Sequence, residues 1–494
     1  MKILAILVLL TLNIFLAPAL TPSDSAIIQS SVISYKMVNI STGEVVADLN
    51  SKMAATPASV TKLITTASAL EMLGPNYKFP TYIETDGYIS NDTLVGNLII
   101  RGTGDPTFGS SFCGSKYILD SIVIAIKKKG VNFICGDVIA DASCFNRFPV
   151  PDKWVWEDIG SNYGAGAYGI NIFDNTAVYF FSAGVNGTTS ISRVEKDLPD
   201  MINNNDISVS RLSKESLLAY CAPYSNKRFF HGSLMPGRKN VPLKVSTSNP
   251  PLVAAYYLYK NLIAGGVGIT GAPCEVILGS SLNCTLSDPI IPAKKGSSPC
   301  SGKTLSSEFS FENHTVLDTF FSVPIADIIK VTNFKSNNLY AESIFRHIGL
   351  LVANSSASSS NSIDTIRSFW SQKGVNLDFM RIYDGCGLSP QGAIPAASVV
   401  DILLYMYNSK NYSYFLSSLP LAGKEGTVYK FLVNTPLSEK VNVKSGSLSG
   451  ARAYAGYIFN NGNKYAFAII FNNFSSPSKE VNKIIEEWLV RDAK

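Results

Sequence analysis

The sequence predicts a mixed α/β protein in which an antiparallel sheet and its covering helices are assembled from the two ends of the chain, with β-rich material inserted between them. Three observations carry this. Strand-like alternation near the N-terminus runs at once into a helical pattern; a strand pair followed by a helix closes the chain; and the long stretch between is short β runs punctuated by Gly, Asn and Ser. With 494 residues, 46% of them hydrophobic, the chain can bury more than one core, so two or three domains are expected.

Met1-Lys2, an apolar run from 3 to 16, and Ala17-Pro18-Ala19 read as a secretory signal peptide over residues 1–19. The alternative, an uncleaved anchor, is disfavoured because the run is shorter than the ~20 residues a membrane span needs. Residues 26–48 read as two strands around a Ser41-Thr42-Gly43 turn, with Val32, Ser34, Lys36 and Val38 alternating. Pro57 suits the first turn of a helix whose apolar positions Leu63, Ile64, Ala67, Leu70 and Leu73 continue until Gly74-Pro75 stops it. Short β runs follow at 94–101 and 136–140, with a helix at 118–128, a strand-rich stretch at 171–242 and a helix at 251–264. Residues 296–310 are a polar loop. A helical run at 339–351, strands at 453–459 and 465–471 and a helix at 480–490 complete the chain. The expected division is a split body from 20–76 and 315–494, an inserted domain from 77–170 and 243–314, and a nested β-rich domain at 171–242.

Composition excludes some function classes. Lys and Arg exceed Asp and Glu by five, and neither sign forms a block, so no nucleic-acid stripe or polybasic membrane patch is indicated. Eight cysteines suit an oxidising compartment, but none stands in a C-x-x-C pair and only three histidines are present, so no metal site is expected. If residues 136–141 are an extended strand, Cys135 and Cys144 are too far apart to bond to each other.

Ser59-Val60-Thr61-Lys62 places a hydroxyl and an amine three residues apart at a helix start, on one face, where the amine can take the hydroxyl proton. Such an amine must be neutral, which requires burial or a neighbouring cation. The spacing alone is weak, since Ser476-Pro477-Ser478-Lys479 also fits it. Two further groups give it company. Ser336-Asn337-Asn338 precedes a helical run, and Lys444-Ser445-Gly446 follows the strand-like Val441-Asn442-Val443; the glycine there would let a substrate backbone approach.

In this order the three groups resemble the Ser-x-x-Lys, Ser-x-Asn and Lys-Thr/Ser-Gly motifs of the penicillin-recognising serine enzymes. The gap from Ser59 to Ser336 exceeds what a compact class A β-lactamase needs. It is similar to the insertion of the penicillin-binding protein 4-like D-alanyl-D-alanine carboxypeptidases/endopeptidases, and segments such as 102–107, 136–145 and 384–389 look like theirs. The resemblance implies a serine transpeptidase/β-lactamase-like catalytic domain with nested inserted β-rich domains, acting on peptidoglycan stem peptides and acylated by β-lactams, without cofactor, in the periplasm or cell envelope. It assigns Ser59 as nucleophile, Lys62 as base, Ser336 as proton relay and Asn338 as a clamp on the substrate amide. Lys444 and Ser445 would bind the terminal carboxylate beside Gly446, and the backbone N–H groups of Ser59 and Ser447 would form the oxyanion hole.

Several positions depart from the pattern. Ser445 replaces the common threonine, Cys386 stands where serine is frequent and is expected to be buried, and Pro390 replaces an arginine that some members use on the stem side chain. Asp141 matches the acidic residue aimed at the stem amino group. Among other readings, Ser301-Gly302-Lys303-Thr304 lacks the correctly placed glycine of a phosphate loop, and no histidine sits in a G-x-S-x-G setting. A β-lactamase, or a penicillin-acylated sensor with little turnover, are the alternative functions.

Overall fold

The computed structural model describes residues 22–113, 116–211, 214–278, 282–284, 314–352, 357–377 and 379–494. The expected signal peptide, the polar loop at 296–310 and Ser301-Gly302-Lys303-Thr304 lie outside the described residues.

The chain enters through a helix, α1 (Pro22–Ser30), not through the strand expected from residue 26 onward. Ile27 is buried against Trp488 and Leu489 of the last helix, and the alternation of a strand begins only at Val32. β1 (Val32–Asn39) pairs antiparallel with β2 (Val45–Leu49) around the expected turn. α2 (Thr61–Met72) follows the 3-10 turn Ala58–Val60.

The chain returns to this body in α3 (Asn338–Leu350), α4 (Ala396–Tyr407), β3 (Val441–Leu448), β4 (Ala451–Asn460), β5 (Asn463–Asn472) and α5 (Ser478–Asp492). The sheet order is β2-β1-β5-β4-β3, so the first strand lies against the last, from Val32 opposite Asn472 to Asn39 opposite Tyr465. One face carries large side chains, Tyr35, Met37, Phe467, Ile469 and Phe471, packed on Trp488 of α5 and its neighbours. The other carries Ala453, Ala455, Ala466 and Ala468, whose small size lets α4 pack close to the strands, in a core that α2 and α3 share. β1 is accordingly buried on both faces along most of its length.

Between α2 and α3 the described residues form four more sheets, one of them a four-stranded sheet that includes Thr93–Val95 and Phe133–Cys135. A six-stranded mixed sheet includes Pro80–Thr85, Leu98–Arg101, Val138–Asp141, Pro273–Val276 and Thr315–Phe321. Helices Ile118–Lys128 and Pro250–Ala264 contribute to the core beside it. Thr315–Phe321 was grouped by sequence with the C-terminal body; it pairs antiparallel with Pro80–Thr85 along its length, so the return to the first body comes after it. Two three-stranded sheets from Thr176–Ala183, Thr189–Glu195 and Val241–Ser246, and from Ile202–Val209, Ser216–Tyr220 and Lys227–Leu234, enclose a small core around Tyr179, Phe181 and Phe230. The last strand of the first of these runs to Ser246, past the boundary expected at 242.

Cys274 and Cys284 form a disulfide and Cys135 is disulfide-bonded as well, whereas Cys144 is a free thiol. Cys135 and Cys144 are therefore not joined, as the extended strand between them requires. Cys386 is free and fully buried, as expected. Among the described residues no helix is long and apolar enough to cross a membrane.

Candidate active site

Ser59 lies in the 3-10 turn that feeds α2, and the residue before it, Ala58, is held at φ +47°, a left-handed conformation that a non-glycine residue adopts only under constraint. Three residues on, the Lys62 side chain is wholly enclosed. Its Nζ lies 2.9 Å from Ser59 Oγ, 2.6 Å from Asn338 Oδ1 and 2.8 Å from the Cys386 carbonyl. A neutral amine fits this arrangement well. Its two N–H bonds go to the two carbonyl oxygens, and its lone pair faces the Ser59 hydroxyl. Burial pulls Lys62 below the ordinary lysine range, against the opposing pull of Cys386, Asp384 and Glu342.

Asn338 opens α3, whose N-terminus is capped by the Asn337 side chain on the Tyr340 N–H. Its amide Nδ2 donates to the Tyr163 carbonyl at 2.8 Å, so the inserted part of the chain reaches the site. Ser336, at φ +52° in the turn before α3, accepts from Lys444 Nζ at 3.0 Å. Lys444 is fully buried on β3 and also reaches the Ser445 carbonyl at 2.6 Å; burial and then the charge of Lys62 push it well below the usual range. Ser445 Oγ pairs with Thr427 Oγ1 at 2.9 Å.

Gly446 plays a different part from the one expected. A Cβ there would lie 2.4 Å from the Pro57 carbonyl and 3.1 Å from the Ser59 N, so the close approach it permits is between β3 and the Ser59 turn. The same contact runs the strand beside the Ser59 N–H and leaves Ser447, the next residue, exposed. Ser59, Lys62, Ser336, Asn338, Lys444, Ser445 and Gly446 are thus brought together from three separate segments.

Asp141 is not brought to them. It ends a strand of the six-stranded sheet opposite Arg101 and Val276, is 2% exposed, and accepts the Ser143 N–H. Burial raises its pKa. Asp158 takes a hydrogen bond from the Tyr163 hydroxyl.

Sequence reasoning missed other members of the site. Asp384 Oδ1 accepts the Gly387 N–H at 2.8 Å, and its Oδ2 accepts from Ser389 N–H at 2.7 Å and Trp154 Nε1 at 2.8 Å. Glu342 Oε1 accepts the Cys386 N–H at 2.7 Å. The signal for Glu342 was its place four residues after Asn338, one turn along the same helix face. Thr427 and Tyr163 gave no signal, because neither belongs to a motif. Of the histidines, His347 is buried between the Tyr77 hydroxyl and the Thr103 carbonyl, with its pKa lowered to about 4 by burial, and has a structural part.

The chain is similar to D-alanyl-D-alanine carboxypeptidase DacB of Haemophilus influenzae, 25% identical over 92% of this chain and 88% of that protein. It is likewise similar to the penicillin-sensitive carboxypeptidase A of Dictyostelium discoideum, 27% identical over 90% of this chain and 82% of that one. The crystal structure of penicillin binding protein 4 from Haemophilus influenzae superposes with a TM-score of 0.76 at 23% identity, covering 95% of this chain and 98% of that one, which shows the same fold. A sequence profile matches residues 21–278 and 294–492, and on that match the chain belongs to the D-Ala-D-Ala carboxypeptidase 3 (S13) family.

Proposed function

We propose that this D-Ala-D-Ala carboxypeptidase works through an acyl-enzyme on Ser59, with Lys62 as the base, and trims or opens peptidoglycan stem peptides. The observation that carries the reading is the enclosed Lys62 amine, with two carbonyls on its N–H groups and Ser59 Oγ at 2.9 Å. Lys62 takes the Ser59 proton as Oγ attacks the carbonyl of the penultimate D-alanine. The C–N bond breaks, and the departing D-alanine amine receives that proton through Ser336, which stands next to Lys444. Water then splits the ester and restores the serine. Backbone N–H groups of Ser59 and Ser447 stabilise the oxyanion, and Asn338 orients the substrate amide. Lys444, Ser445 and Thr427 form the seat for the terminal carboxylate.

In this reading the catalytic body comes from both ends of the chain, and two inserted bodies, one nested in the other, bring Trp154, Asp158 and Tyr163 to the cleft. The protein acts after export, in the periplasm or cell envelope, and β-lactams acylate Ser59.

The mature protein should release D-alanine or split a D-alanyl cross-link from a muropeptide digest, and fluorescent penicillin should label Ser59. Retention of both properties by Ser59→Ala would overturn the assignment. Rapid penicillin hydrolysis with no D-alanine released would identify a β-lactamase.

A further inference from the structure

Asn338, Glu342 and Arg346 lie one turn apart along α3. Glu342 is 1% exposed; its Oε1 accepts the Cys386 N–H, and its Oε2, enclosed by protein, has no hydrogen-bond partner. The Cys386 thiol also donates to this carboxyl. The carbonyl of the same Cys386 is the one that accepts from Lys62 at 2.8 Å. A continuous chain therefore runs from the Glu342 carboxyl through one residue of backbone to the amine beside Ser59.

The turn carrying Cys386 is fixed on its other side too. Asp384 holds the Gly387 N–H, and Gly387, at φ +75°, lies so close to the Ala58 carbonyl that a Cβ would stand 1.9 Å from it. The charged and titratable groups facing Glu342 are Lys62 on α2, Asp384 and Cys386 on this turn, and Arg346 one helical turn on. Arg346 does not pair with it. Its guanidinium is spent on the carbonyls of Phe148, Ala167, Asn146 and Ala357 and on Asn146 Oδ1.

A buried carboxylate with one free oxygen and no paired cation is costly, and the protonated acid, which carries no charge, costs less. Burial, with the charge of Asp384 adding to it, raises the Glu342 pKa to about 8, in keeping with this geometry. A further anion beside Lys62 would hold it as an ammonium ion, which cannot accept the Ser59 proton.

We propose that Glu342 is a positioning residue for the acyl transfer, a neutral carboxyl that fixes the Cys386 carbonyl against Lys62 and leaves the amine uncharged. It touches neither substrate nor the reacting atoms and acts through the Cys386 backbone. The inference rests on the reading of Ser59 and Lys62 above.

The test uses the full mature chain with Glu342→Gln, which keeps the acceptor oxygen but cannot ionise, and Glu342→Ala, which keeps neither. The readout is the rate of Ser59 acylation by fluorescent penicillin as a function of concentration and pH. E342A should acylate at least about thirtyfold more slowly at saturation, with the half-saturating concentration within about twofold of the native value. E342Q should recover the rate to within about threefold, with the acidic limb of its pH profile unmoved. Native-like acylation by E342A, or an E342Q as slow as E342A, would overturn the positioning role. A limb displaced to lower pH by a unit or more in E342Q would show that Glu342 is ionised in the native protein and overturn its neutrality. Should E342A fail to fold, the rate and the limb of E342Q still decide. Absence of Ser59 labelling in the native protein would instead mark failure of the underlying reading.

Discussion

The tight contact between Gly387 and the turn before Ser59 can be broken by one methyl group. In Gly387→Ala the new Cβ would stand 1.9 Å from the Ala58 carbonyl oxygen, 2.6 Å from its carbon and 2.7 Å from Thr61 Oγ1. Ordinary carbon–oxygen contact needs more than ~3 Å, so the two segments must separate by about 1 Å. The left-handed backbone adds about 1–2 kcal/mol for a residue with a Cβ. Together these give a loss of roughly 3 kcal/mol in stability, within the range for a strained and overpacked site. A shift of this size moves Ala58, and with it Ser59, relative to Lys62, so acylation should fall by about a hundredfold. Gly374→Ala is the matched control. Gly374 has φ +77° but nothing within 4 Å of its virtual Cβ, so it bears the backbone term alone and should leave acylation unchanged. Thermal melting and the rate of labelling by fluorescent penicillin measure both effects. If G387A melted together with G374A and acylated at the native rate, the contact would not hold the Ser59 turn.

Three further outcomes follow from the same site. The acylation rate should drop as pH falls through the depressed pKa of Lys62, because the ammonium form cannot act as base; a stopped-flow pH profile checks this. The same burial of Lys62 and Lys444 makes the unfolded chain the better proton binder at pH values between their folded pKa and the unfolded value near 10.5. The contribution of these two lysines to unfolding free energy therefore rises with pH across that window, which denaturant titrations on the native protein and Lys444→Met would read. Thr427→Val removes the hydroxyl paired with Ser445, and should raise KM for D-alanyl-D-alanine peptides by about fivefold, roughly 1 kcal/mol, with little change in kcat.

α2, α3, α5 and the C-terminal strand pair were legible in sequence because their apolar periods are long and uninterrupted, whereas α4 was not singled out. The entry helix α1 was not, since nine residues with two adjacent isoleucines carry no distinct period. The pairing of Thr315–Phe321 with Pro80–Thr85 was not legible, because partner choice depends on non-local pairing, to which local pattern is blind. Within the site, the three motifs were legible as chemistry, but their supports were not. Asp384 and Trp154 are 230 residues apart in sequence, and Thr427 meets Ser445 from a loop without regular period. Asp141 shows the converse: a residue that matches a pattern while its surroundings bury it.

The pairing of β1 with β5 sets the order of events during synthesis. Residues 32–39 emerge first, and their strand partner, 463–472, is among the last segments made, so the central sheet cannot close until almost the whole polypeptide exists. Lys444 reaches the Ser336 hydroxyl only once β3 has been laid on the far side of that sheet. The serine and its neighbouring lysine are thus harmless on a nascent chain, and hydrolytic power arrives in one late step, after both insertions have had time to fold. For a hydrolase whose site is assembled from both ends of the chain, strand order thus times the arrival of activity.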